Sequence, residues 1–486
     1  MAADQLADPS AGSVRPSFPA ELARPHFIGI GGAGMSGIAK ILLQRGARVT
    51  GSDAQESGAV TALRALGATV RLGHDAAHLA PDATAVVVSS AIREDNPELA
   101  AALARDLPVV HRSAALAALM EGTRPLAVAG THGKTTTTSM LAVALGTLGL
   151  DPSYAIGGDL DGPGSNAHHG RGDLFVAEAD ESDRSFHEYA PEAAIVLNVE
   201  LDHHANYASM EEIYESFETF AARLRPGGVL VVSADQEGAR ELTRRVRARG
   251  EARVRTYGEA EDADVRVLGI TAHGLTSEVT VRWHDGQDGG DEGRELTFAV
   301  SVPGRHYAQN AVAALAAGAE MGVPVDDLAK ALGAYTGVGR RLQSRGEAAG
   351  VRVIDSYAHH PTELTADLEA IRGGARDGRV LVLFQPHLFS RTRELGAELG
   401  QSLAAADASV VLDIYPARED PVPGVTSERI VDAARAAGAD VRHEPSKEVA
   451  VELLAGMAVP GDLVLTMGAG DVTELGPRIL DRLGGR

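Results

Sequence analysis

Gly130-Thr131-His132-Gly133-Lys134-Thr135-Thr136 follows the apolar run Pro125-Leu126-Ala127-Val128-Ala129 and precedes Thr137-Thr138-Ser139-Met140-Leu141-Ala142-Val143-Ala144-Leu145. The first flank suits a buried strand and the second a helix. A strand, a tight glycine turn and a helix start aim backbone N–H groups and the positive end of the helix dipole at an anion. In such a loop Lys134 reaches the β and γ phosphates of a nucleoside triphosphate, and the Thr135 hydroxyl takes Mg²⁺. The loop is a shortened variant, because Val128 stands where the full pattern has a glycine five residues before Gly133.

Upstream, Phe27–Ile30 reads as a strand, Met35–Arg45 as a helix and Ala47–Asp53 as a second strand. Between the first two lies Gly29-Ile30-Gly31-Gly32-Ala33-Gly34, with Asp53 closing the next strand about 20 residues on, the spacing of a dinucleotide fingerprint. Gly29, Gly31, Gly32, Ala33 and Gly34, with Met35 and Ser36 of the helix start, are candidates for a pyrophosphate, and Asp53 for a ribose hydroxyl. Alone this suggests an NAD-dependent dehydrogenase, but any nucleotide diphosphate, a UDP-sugar included, can use the same N–H groups.

Downstream, strands are expected at Leu174–Glu178, Ala194–Asn198 and Gly228–Ser233, and a hairpin from Leu275–Trp283 and Arg294–Val302, with a polar tip at 285–291. A third series of strands is expected at Val351–Asp355, Val380–Gln385, Ser409–Tyr415 and Leu463–Met467. At 486 residues, and about 150 per domain, three α/β units are expected, each a mostly parallel sheet flanked by helices. They are a Rossmann-like unit at 25–122, a P-loop ATPase-like unit at 123–343 and a Rossmann-like unit at 344–486, after a disordered tail at 1–24.

Chemistry-bearing residues gather at expected strand ends. Glu178-Ala179-Asp180-Glu181-Ser182-Asp183 and Asn198-Val199-Glu200-Leu201-Asp202-His203-His204 would lie over the same sheet edge as the phosphate loop. Glu178 and His203 are then candidates to hold Mg²⁺ with Thr135. Arg305 and His306, beside Gly304, and Asn310 one helical turn on, suit an adenine. Asp355-Ser356-Tyr357-Ala358-His359-His360 and Gln385-Pro386-His387-Leu388-Phe389-Ser390-Arg391 end two strands of the third unit, a cluster suited to a small zwitterion or a phosphate.

The net charge, 45 basic minus 67 acidic residues or −22, argues against nucleic acid and against an anionic membrane surface. The chain has no cysteine, hence no disulfide, thiolate metal site or cysteine nucleophile. No run approaches 18 apolar residues, and residues 1–24 lack the pattern of a signal peptide. A cytoplasmic monomer or homodimer is expected.

Taken in order, these segments resemble the Mur ligases of peptidoglycan synthesis, from His26 to the end of the chain. The resemblance rests on Gly130–Thr136, Glu178–Asp183, Asp202-His203, Pro303-Gly304-Arg305-His306 with Asn310, Asp355…His359-His360-Pro361-Thr362-Glu363, and Phe384-Gln385-Pro386-His387…Arg391-Thr392. Ser356 stands where many members have a second acid, and Leu388 where many have an arginine.

The resemblance implies an ATP-dependent carboxylate–amine ligase acting on a UDP-sugar through an acyl phosphate. The acidic motif favours the member that joins L-alanine to UDP-N-acetylmuramate. ATP would then sit on Gly130–Thr136, Arg305, His306, Asn310 and Asp355. The amino acid would sit on Tyr357, His359, His387 and Arg391, and Mg²⁺ on Thr135, Glu178 and His203. Lys134, His203, His359 and Arg391 would act in the reaction, with His359 as base for the amine. A sister ligase adding a peptide or a later residue, and an NAD-linked oxidoreductase, are the alternatives.

Overall fold

Runs such as Leu126–Ala129 and Val380–Phe384 are apolar at every position, so their strands are buried on both faces and need helices on each side of a sheet. The computed structural model describes residues 18–160, 165–202, 206–274, 276–284, 293–374, 378–417 and 419–485, and it meets that need three times. The first sheet has five parallel strands in the order Thr69–Leu72, Thr50–Asp53, Pro25–Ile28, Ala85–Val88, Val109–His111. Its glycine loop leads into the helix Ala33–Gln44.

The second sheet has ten strands. Arg124–Ala129 lies parallel between Ala193–Val196 and Leu174–Glu178, so the phosphate loop and both acidic segments emerge at one edge. Beyond Val229–Ser233 and Arg253–Gly258 the sheet turns antiparallel. The expected hairpin is a three-stranded meander, because Val265–His273 pairs with Thr276–Trp283, which pairs with Arg294–Val300. Leu275 and the polar tip lie outside the described residues. The third sheet, from Gln343, has six strands, parallel except where Gln343–Ala348 pairs with Val351–Ser356.

The first and second units share one apolar core that runs from Phe27, Ile38 and Leu42 to Ala127, Phe175 and Phe217. Leu22, in the segment expected as a tail, is buried in it, within the 3-10 turn Ala20–Leu22; residues 1–17 lie outside the described residues. The third unit encloses apolar clusters of its own and meets the second through polar contacts and through Leu342, which packs against clusters of both. Among the described residues no helix is long and apolar enough to cross a membrane.

Candidate active site

Gly133 caps the helix Lys134–Thr147 with φ +85, a left-handed conformation that glycine adopts without steric cost. A side chain there would also press on the Asn310 amide at 3.0 Å. The loop is pinned by Asn198, whose Oδ1 accepts from the His132 N–H at 2.7 Å and whose Nδ2 donates to the His132 carbonyl.

Lys134 Nζ curls over the loop, donating to the Gly130 carbonyl at 2.6 Å and to Glu181 Oε1 at 2.9 Å. Burial opposes its charge, but Glu181, Asp180 and Glu178 outweigh burial and raise its pKa. Glu178 faces the other way: its Oε1 accepts from the Thr135 hydroxyl at 3.1 Å and its Oε2 from the Gly157 N–H at 2.7 Å. Burial raises the Glu178 pKa in spite of nearby Lys134. Thr135 and Glu178 therefore fit Mg²⁺. Both are hard oxygen donors, and a cation there would relieve a carboxylate that burial disfavours. His203 lies outside the described residues.

A cavity of about 340 Å³ opens beside the loop, lined by His132, Gly133, Thr136, His306 and Asn310, with Glu363 and Asp367 of the third unit closing one side. His306 and Asn310 share a helix face, and Arg305 does not: its side chain is 64% exposed and pairs with Glu259, so Arg305 is not brought to this cavity. Nor is Asp355. It is fully buried, and its carboxylate is taken by Thr466 at 2.7 Å, Thr473 at 2.6 Å and Arg345 at 2.9 Å, which makes it an anchor within the third sheet. Tyr307, Arg341 and Asp367, not singled out from the sequence, also line the cavity, beside Glu363 of the histidine motif; Tyr307 directly follows the motif histidine, and no motif marks Arg341 or Asp367.

The first glycine loop opens on a second cavity, about 480 Å³, lined by Gly32, Ala33, Gly34 and Met35 and, from the middle and third units, by Glu178 and Tyr357. Asp53 is spent locally, accepting from the Gly31 N–H at 2.8 Å and the Gln55 N–H at 3.2 Å. Ser36 Oγ donates to the Ala33 carbonyl and receives the Asn166 amide, tying this helix start to the middle unit. Arg112, which opens the helix Arg112–Met120 after a first-sheet strand too short to be read in the sequence, reaches Asp180 at 2.9 Å and Asp183 at 3.1 Å.

The third unit brings its cluster to the same edge. Arg391 Nη2 donates to both oxygens of Asp202, at 3.0 and 3.2 Å. Arg391, Asp202, Arg112 and Asp183 line a further cavity of about 470 Å³. The His359 ring lies 5.2 Å from Tyr357 and 5.8 Å from His387. Its Nδ1 meets the Tyr357 carbonyl at 2.9 Å, so Nδ1 carries the proton and Nε2 keeps its lone pair. Burial, aided by Arg391, lowers the His359 pKa to about 3 in spite of Glu363. The expected base is therefore a neutral hydrogen-bond acceptor and a poor proton store.

His132 joins the units. It sits 3.3 Å from Glu363 and 3.5 Å from Glu200, and Thr362 Oγ1 donates to Glu200 at 3.1 Å. Burial works against its charge, yet the two carboxylates raise its pKa to about 9.

The family models described as Mur ligase family, catalytic domain, Mur ligase middle domain, and Mur ligase, glutamate ligase domain match residues 24–124, 128–318 and 340–470. A UDP-N-acetylmuramate–L-alanine ligase of Streptomyces coelicolor is 73% identical over 96% of this chain and 99% of its own length. Among solved structures, a UDP-N-acetylmuramate-alanine ligase from Thermotoga maritima superposes with a TM-score of 0.79 at 27% identity, covering 94% of this chain and 98% of that one. A murein peptide ligase from Psychrobacter arcticus superposes with a TM-score of 0.69 at 25% identity, covering 96% and 99%. Three family models in chain order, spanning the three sheets and both glycine loops, establish that this chain belongs to the Mur ligase family.

Proposed function

We propose that this chain joins L-alanine to the lactyl carboxylate of UDP-N-acetylmuramate, converting ATP to ADP and phosphate through an acyl phosphate. One observation carries the reading most. Glu178 lines the cavity of the first glycine loop while its carboxylate is bonded to Thr135 of the second, so an acceptor held by the one loop meets a triphosphate held by the other.

A carboxylate attacking a polyanion needs its repulsion neutralised, and positioning and electrostatics dominate such transfers. Lys134, now paired with Glu181, is the cation that would turn to the phosphates. Thr135 and Glu178 would hold Mg²⁺, which would supply further charge neutralisation at the triphosphate. The ribose and pyrophosphate of the sugar nucleotide would lie along Gly29–Ser36. The base of ATP would lie against His306 and Asn310. Arg391 would give its guanidinium to the amino-acid carboxylate by exchange with Asp202, while Tyr357 and His387 wall the pocket and His359 accepts a hydrogen bond from the amine. Glu363 and Asp367 help close the ATP cavity, which excludes water from the acyl phosphate.

The test is ADP release with UDP-N-acetylmuramate and a panel of amino acids, a tripeptide included. Release with L-alanine above all others is expected; preference for the tripeptide would favour a sister ligase, and no release would defeat the reading.

A further inference from the structure

We propose that His132, Glu200 and His360 form a zinc-class metal site that clamps the third unit onto the phosphate loop, distinct from the Mg²⁺ position at Thr135 and Glu178. One ligand atom from each of the three residues lies within 4.8 Å of the other two. The rings of His132 and His360 are 4.6 Å apart. His132 Nε2 is buried without a hydrogen-bond partner, with Glu200 Oε2 at 3.5 Å.

The donor set selects the metal. Two imidazoles and one carboxylate suit Zn²⁺ and its neighbours, whereas Mg²⁺ wants oxygens. Tetrahedral zinc holds ligands at about 2.0–2.1 Å, hence about 3.4 Å apart, so side-chain rotations of roughly an ångström close the site. Three protein ligands leave a fourth position open to water or to a phosphate oxygen.

Supporting groups are already present. Glu363 Oε1 stands 3.3 Å from His132 Nδ1, orienting the ring as a carboxylate does behind a metal-bound histidine. Thr362 Oγ1 holds Glu200 Oε2 at 3.1 Å. His132, Glu200, Thr362 and Glu363 also line the ATP cavity, which is the route of entry.

The ligands come from the phosphate loop, a loop of the middle sheet and the turn before the helix Pro361–Gly374. An ion bound there would add a metal bridge to the hydrogen bonds, ion pairs and Leu342 packing that already join the two units.

The site is tested by equilibrium dialysis of the full chain against Zn²⁺, without nucleotide or substrate, so the result is independent of the catalytic reading. About one ion per chain is expected, with affinity falling at least about tenfold in Glu200→Gln and in His360→Gln but unchanged in Glu178→Gln. Circular dichroism checks that each variant is folded. A tetrahedral visible spectrum with Co²⁺, lost in His360→Gln, and a melting temperature raised by Zn²⁺ only where the three ligands are intact, would support the clamp. Absence of Zn²⁺ binding, or binding that ignores Glu200 and His360, or that follows Glu178, would overturn it.

Discussion

The two glycine loops use one geometry for different ends. Each follows a strand of a parallel sheet and opens a helix, Ala33–Gln44 in one case and Lys134–Thr147 in the other. At the first, the carboxylate nearby, Asp53, bonds a loop N–H, and no side chain of Gly29–Ser36 is charged. At the second, a lysine, a hydroxyl and two carboxylates, Glu181 buried and Glu178 half-buried, are organised around the turn. The first can bind a diphosphate, whereas the second can also stabilise charge that develops during a reaction. Their surroundings differ in the same sense: the first loop is fused to the middle unit through a continuous apolar core, and the second touches the third unit through ions and histidines. An apolar seam of that kind is suited to permanence and an ionic seam to opening.

The sharpest break of this contrast is Lys134→Ala. Turnover should fall on the order of a thousandfold or more, with UDP-sugar binding, followed by calorimetry, nearly intact; equal loss of both would merge the two sites. Glu178→Gln should come next, weakening Mg²⁺ activation roughly tenfold to a hundredfold and leaving the first loop unaffected, as read from rate against Mg²⁺ concentration. Gly31→Val acts on the other side. Its Cβ would lie 3.0 Å from both Asp53 Oδ2 and Val60 Cγ2, so the sugar nucleotide should bind roughly tenfold to a hundredfold more weakly while ATP affinity holds. The reverse pattern would exchange the roles of the loops.

The smallest effect is a pH dependence confined to the ionic seam. His132 is raised to about 9, above its unfolded value near 6.5, so its contribution is complete below about pH 6.5 and is lost as pH rises through 9. His359 and His360 are lowered by burial, to about 3 and about 4. What they contribute as neutral rings is present above about pH 6.5 and is lost as pH falls through those values. Calorimetric melting should therefore decline on both sides of that region, by roughly a few degrees on the alkaline side. Glu363→Gln should flatten the alkaline slope; an unchanged slope would remove His132 from the seam.

Much of this was legible in the residues. Apolar strands such as Leu174–Glu178 and Leu463–Met467 appear at the expected positions because burial on both faces leaves an uninterrupted signal. Exposed strands did not: the edge strand Thr69–Leu72 has three of four residues exposed and Val265–His273, though inside its sheet, only two buried of nine, so neither shows the pattern. Among site residues, the fold brings Lys134, Thr135 and Glu178 to one edge, with Thr135 bonded to Glu178 and Lys134 to Glu181. Arg305 and Asp355 go elsewhere because one helix position or one buried threonine pair decides where a side chain ends, and motif spacing carries neither.

Local order along the chain, glycines where a turn must admit a phosphate and acids at the ends of buried strands, determined the α/β class, the two loops and the family. The tertiary structure alone decided that Glu178 turns to Thr135 while Glu181 takes Lys134, that Asp53 serves its own loop, and that His132 reaches Glu363 across 231 positions. The physical reason is range: backbone propensity and apolar periodicity act over a few residues, whereas the partner of a buried charge is set by which distant segment the packed sheets leave within hydrogen-bond distance.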